Sequence, residues 1–149
     1  MRFDKIHVDR KAEREFRRRA VRAYPNEYME GLWGYIRGSV IYVCAFVPME
    51  HKGYYQHLTY KDEVLDDHED EAREHNLEYL GTIHTHPDLL ETLFSEHDLR
   101  EVQNTQDAVM AICAITQEIN KGKTRRVCDI AYWPAVRPFT VTYGPKAGK

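Results

Sequence analysis

Two histidines, His84 and His86, stand two positions apart at the end of an apolar run that closes on Pro87. If residues 80–87 form a strand, positions i and i+2 face the same way. The two imidazoles then lie side by side and Thr85 points to the opposite face. Proline cannot continue a ladder, so the pair falls where a strand opens into a loop, and functional side chains collect at such places. Neutral imidazole is a good zinc ligand, and a catalytic zinc site has three protein ligands and an open fourth position. The third ligand should be a carboxylate or another histidine, returned by a short excursion. Asp98, twelve residues beyond His86, meets this requirement from the first turn of a following helix, where the helix dipole favours a carboxylate. Zinc with two neutral histidines and one aspartate keeps a residual positive charge. Such a site can polarise a carbonyl and lower the pKa of bound water toward ~7.

Each half of this pattern has a plainer explanation. A His-x-His arises by chance in a chain with eight histidines. Ser95-Glu96-His97-Asp98 also reads as a helix N-cap with an acidic residue at N3, a relative of the capping box. The combination favours the metal: a strand-borne His-x-His-Pro, a short loop, then Ser-x-x-Asp. The remaining histidines serve as controls. His68 and His75 fall on an acidic helix and read as solvated, His97 should point elsewhere on its helix, and His7, His51 and His57 have no partner at ligand spacing.

The elements that must position these residues follow from periodicity. Residues 10–23 read as a helix, with Ala12, Phe16, Ala20 and Val21 near helical spacing; its run Arg17-Arg18-Arg19 reads as a solvated face. Pro25 and Asn26 reset the chain. Residues 28–37 and 39–47 read as strands joined near Gly38, the second rich in Val, Ile, Tyr and Phe. Residues 53–60 are aromatic loop or extended chain. An acidic helix is expected over 62–77, the buried strand over 80–87, a loop over 87–94 and a helix from Ser95 to about Gln106. Strands follow over 108–116, 126–133 and 138–143. This order specifies one α/β domain spanning 1–149, a single mixed β-sheet flanked by helices, with 1–9 and 144–149 as flexible ends.

Composition agrees with one soluble domain. The chain has 149 residues, 42 % of them hydrophobic and 30 % charged, which is enough for one packed core under a well-solvated surface. The net charge of −3 gives no bulk electrostatic case for nucleic acid. Cys44, Cys113 and Cys128 are odd in number and dispersed, two of them in apolar runs, which favours buried free thiols over disulfides or a zinc ribbon. Neither a signal peptide nor a membrane span is visible, so a cytoplasmic protein is expected.

His84-Thr85-His86-Pro87 followed by Ser95-Glu96-His97-Asp98 resembles the JAMM motif of the MPN+ (JAB) zinc metalloproteases. The resemblance extends upstream: Pro25-Asn26-Glu27, then Gly31-Leu32-Trp33-Gly34, is similar to the family's Pro-x-Glu and glycine pattern, and Val47-Pro48 ends the next strand as the family's does. It implies a cytidine-deaminase-like MPN architecture with Zn²⁺ on His84, His86 and Asp98. It also implies Glu27 as general base and Ser95 as the oxyanion donor. The implied reaction is hydrolysis of a peptide or isopeptide bond at the C-terminus of ubiquitin or a ubiquitin-like protein, as in compact prokaryotic deubiquitinase-like isopeptidases. Two details depart from the pattern. Eight residues separate His86 from Ser95, one more than is usual, and the shifted glycines leave Glu30 as a rival to Glu27. Glu27 is preferred because it keeps the Pro-x-Glu spacing and Gly34 falls seven residues on.

Other readings compete. His84-Thr85-His86-Pro87-Asp88 superficially matches the His-x-His-x-Asp-His signature of metallo-β-lactamase-like enzymes, but Leu89 stands where the final histidine belongs. A non-catalytic MPN-type scaffold would bind partners without hydrolysis. A closed structural metal site would normally show four ligands, often cysteine. Tyr54, Tyr55 and Tyr60 with the acidic helix could line a groove for an extended tail, or form only a packed loop and a solvated helix.

Overall fold

The structure, a computed structural model, describes residues 5–55, 57–88, 107–133 and 140–144. The chain opens with strand β1 (Lys5–Asp9) and helix α1 (Arg10–Ala23). Strands β2 (Met29–Arg37) and β3 (Val40–Pro48) follow, then a small hairpin of β4 (Lys52–Tyr54) and β5 (His57–Thr59). Helix α2 (Asp62–Glu74) leads into β6 (Glu78–Pro87). Strands β7 (Val109–Asn120), β8 (Lys123–Trp133) and β9 (Thr140–Gly144) complete the order. Seven strands form one sheet in the order β8-β7-β6-β2-β3-β1-β9. The pairs β6–β7, β1–β3 and β1–β9 are parallel; the others are antiparallel, so the sheet is mixed as expected.

Helix α1 starts because Asp9 accepts a hydrogen bond from the Ala12 amide at 2.9 Å, an N-cap that satisfies one orphan donor. It buries Phe16 and Ala20 on one face of the sheet, where Phe16 meets Phe46 at 5.4 Å between ring centres. Helix α2 covers the opposite face, where Ala72 and Leu77 pack with Trp33. Alternation along β2 sends Glu30 toward α1 and Gly31 toward α2.

Three sequence expectations change. The segment expected as a flexible end contains β1, whose Ile6 and Val8 are fully buried between β3 and β9. Five residues are too few to stand out from the flanking charged chain. His68, expected to be solvated, is 5 % exposed and accepts the Trp33 indole N–H at Nδ1 (3.1 Å). It lies over Gly31, where a Cβ would come within 2.6 Å of that nitrogen, so glycine is needed for the helix to sit this close. Burial lowers the His68 pKa, opposed by Glu71 and the Pro48 carbonyl. Finally, β7 and β8 run further than expected, into a tight turn at Lys121 and Gly122, both at positive φ (51° and 75°). That geometry suits the twist of a hairpin, but the polar residues around it hide it from periodicity. The helix expected over 95–106 lies outside the described residues.

Candidate active site

The site is built at the carboxyl end of β6, a strand hydrogen-bonded on both sides, by β2 and β7. His84 is buried and His86 half-buried. Their Nε2 atoms are 3.1 Å apart and their ring centres 5.0 Å apart. Two tetrahedral ligands at ordinary zinc–nitrogen distances stand about 3.3 Å apart. The nitrogen pair therefore fits one edge of a zinc tetrahedron.

Thr85 points the other way and is fully buried. Its amide donates to the Tyr28 carbonyl at 2.9 Å, and its Oγ1 accepts the Tyr28 amide at 2.9 Å. The link between β2 and β6, whose ladder begins at Met29 and His84, is thus continued at Tyr28 and Thr85 by one backbone bond and one side-chain bond. Glu27 is 8 % exposed. Its amide donates to the Tyr54 carbonyl at 2.9 Å, tying it to the β4–β5 hairpin. Gly53 makes that approach possible, because a Cβ there would lie 2.0 Å from the Glu27 carbonyl oxygen.

Glu30 lies on the α1 side. It is fully buried, accepts two hydrogen bonds from Arg19 (2.6 and 2.9 Å), and takes a third from the Tyr28 hydroxyl. Burial and this carboxylate raise the Tyr28 pKa. The expectation that Arg17-Arg18-Arg19 is simply a solvated face therefore holds for Arg18, which is exposed, but not for Arg19.

Asp88, immediately after the motif, carries a contact network that sequence reasoning did not assign. Its backbone is left-handed (φ 62°), a conformation aspartate tolerates better than most residues. Its amide donates to the Ile115 carbonyl at 2.7 Å, while its carboxylate accepts from the hydroxyls of Tyr24 and, at 3.1 Å, Tyr55. The only cue in the sequence is an aspartate following His-Pro. Asp98 and Ser95 lie outside the described residues, and among the described residues no three His, Cys, Asp or Glu side chains form a metal-binding group.

Comparison with known proteins decides the family: the model describing prokaryotic homologues of the JAB domain matches residues 9–129. The chain belongs to this family. Among solved structures, protein DSY2949 from Desulfitobacterium hafniense is similar at 20 % identity and a TM-score of 0.68, covering 94 % of this chain and 93 % of that one. AF2198, a JAB1/MPN domain protein from Archaeoglobus fulgidus, is similar at 15 % identity and a TM-score of 0.52, covering 95 % and 98 %. At these identities the two neighbours show the fold, which is the JAB/MPN architecture expected from the motif. No curated protein matches. The JAB/MPN superfamily includes zinc metalloproteases, and the 3.1 Å between the His84 and His86 Nε2 atoms, a hydrogen-bond distance, is also compatible with two nitrogens sharing one ion. No helix among the described residues is long and apolar enough to cross a membrane.

Proposed function

We propose that this JAB-family member is a zinc-dependent peptidase. Its substrate would be a peptide or isopeptide bond at the C-terminus of ubiquitin or a ubiquitin-like protein. The observation that carries the reading is the pair of Nε2 atoms 3.1 Å apart, with a buried glutamate, Glu27, two residues before the strand that pairs with β6. His84, His86 and Asp98 would hold Zn²⁺. When bound, the ion would polarise the scissile carbonyl and acidify the attacking water. Glu27 takes a proton from that water and delivers it to the leaving amine, which is general base and then general acid catalysis by one carboxylate. Ser95 donates a hydrogen bond to the developing oxyanion. Glu30 is unsuited to the proton transfer, since its carboxylate faces α1 and is occupied by Arg19 and Tyr28. We assign the protein to the cytoplasm, where cysteines outside any disulfide persist.

The test combines metal analysis with hydrolysis of a panel of ubiquitin-like fusions, with and without chelator. Wild type should carry about one zinc per chain and cleave at least one fusion in a chelator-sensitive way. His86→Ala should lose both properties, and Glu27→Gln should keep zinc and lose cleavage. Equal zinc in wild type and His86→Ala would refute the ligand assignment, and wild-type protein without zinc would instead favour a non-catalytic MPN-type scaffold.

A further inference from the structure

A groove of about 570 Å³ lies between α1 and β8, away from the histidine pair. Its walls carry five arginines, Arg14, Arg17, Arg18 and Arg22 from α1 and Arg126 from β8, around Val21. The spacing of 14, 17, 18, 21 and 22 places one face of the helix along the groove. Of the five, Arg17 pairs with Glu13 at 3.0 Å and donates to the Cys128 carbonyl, and Arg126 lies against the Tyr24 ring. Arg14, Arg18, Arg22 and Arg126 are exposed. This is a concentrated positive site on a chain whose net charge is −3.

Side-chain contacts link one edge of the groove to the end of β6. Arg126 stacks over the Tyr24 ring at 4.6 Å, and the Tyr24 hydroxyl donates to Asp88, directly after His86-Pro87.

We propose that the groove docks an acidic polypeptide segment of the substrate, and this rests on the peptidase reading above. Charge and size select that occupant. From Arg14 to Arg22 the helix rises about 12 Å, the length of three or four extended residues. Every cation is arginine, whose planar fork takes a carboxylate in two parallel hydrogen bonds. The apolar side chain of Val21 suits a peptide better than bare phosphate. The net charge of −3 gives no bulk attraction for a long nucleic acid beyond the groove itself.

Fluorescence anisotropy with a labelled ten-residue glutamate-rich peptide tests the groove. Wild type should bind, more weakly as salt rises, and Arg18→Glu/Arg22→Glu should weaken binding at least tenfold. Arg18→Gln/Arg22→Gln, which cannot repel the peptide, should give a smaller loss. His86→Ala should bind as wild type does, so a failure of the zinc reading would leave this measurement intact. The peptide should also slow alkylation of Cys128, which lines the groove. Binding that is indifferent to both arginine pairs would overturn the proposal. So would tighter, arginine-dependent binding of an oligonucleotide of equal charge.

Discussion

Glu30 points into the α1 side of the sheet, held by Arg19 and Tyr28, while Glu27 lies buried just before β2, tied to the β4–β5 hairpin. The two carboxylates should therefore fail differently when removed. Glu30→Ala leaves Arg19 and the Tyr28 hydroxyl without their buried acceptor, and it should lower unfolding stability by about 3 kcal/mol while metal content stays unchanged. Chemical denaturation with parallel zinc analysis checks this; a stable Glu30→Ala protein that has lost its metal would reverse the two roles. Cysteine chemistry gives a second residue-scale prediction. Hydrogen bonding from Cys113 lowers the Cys128 pKa to about 7 despite partial burial, and Arg17 acts in the same direction. The thiolate is the reactive form, so alkylation of Cys128 should rise between pH 6 and 8 with a midpoint near 7. Cys113 and Cys44, both buried, should lag far behind in peptide mapping of the labelled protein.

Among the elements, α2 offers a pH signature through His68. Its folded pKa lies below the ordinary value of 6.5, so at lower pH the unfolded chain binds a proton that the folded chain resists. Stability contributed by neutral His68 is thus complete above about 6.5 and falls as the pH drops through the depressed folded value. Thermal melts from pH 7.5 to 5 should show a steeper loss for wild type than for His68→Gln, and parallel curves would exclude this origin. The β4–β5 hairpin has a separate role. Gly53→Val cannot keep the approach to the Glu27 carbonyl, so on the proposed peptidase reading it should lower turnover more than zinc retention, as hydrolysis assays beside metal analysis would report. How much of this could be read from the chain depended on residue pattern. His84 and His86 share a strand, and β-branched, aromatic sequence marks β3, so both were visible. The buried position of His68 was hidden, because α2 has an acidic sequence and buries only His68 and Ala72. The Asp88 clamp joins side chains from distant segments, Tyr24 and Tyr55, and no local periodicity encodes such a meeting.

At the scale of the whole molecule, β1 is a structural requirement. It bridges β3 and β9 by parallel pairing and contributes Ile6 and Val8 to the core. A chain beginning at Arg10 would expose two parallel ladders and lose the Asp9 cap of α1. Such a truncation is expected to abolish cooperative unfolding, which circular dichroism against denaturant would report. The order α1-β2-β3-α2-β6-β7-β8-β9, and hence the mixed sheet, followed from sequence alone. Strand β1 did not, because parallel pairing joins residues far apart in the chain and leaves no turn signal. The opposition of charge was also only half visible. Seven basic side chains on α1 and eight acidic ones on α2 were countable, but their placement on opposite faces required the sheet between them.

The hydroxyl of Thr85 takes the place of a backbone carbonyl in joining β2 to β6, and this limits which residues the position can tolerate. Valine matches threonine in shape but strands the Tyr28 amide; serine keeps the acceptor and loses only a methyl group. The residue between the two histidines is therefore not a spacer. It works as an alignment pin, and chains that keep both imidazoles but replace it with an aliphatic side chain should drift in register before they lose their ligands.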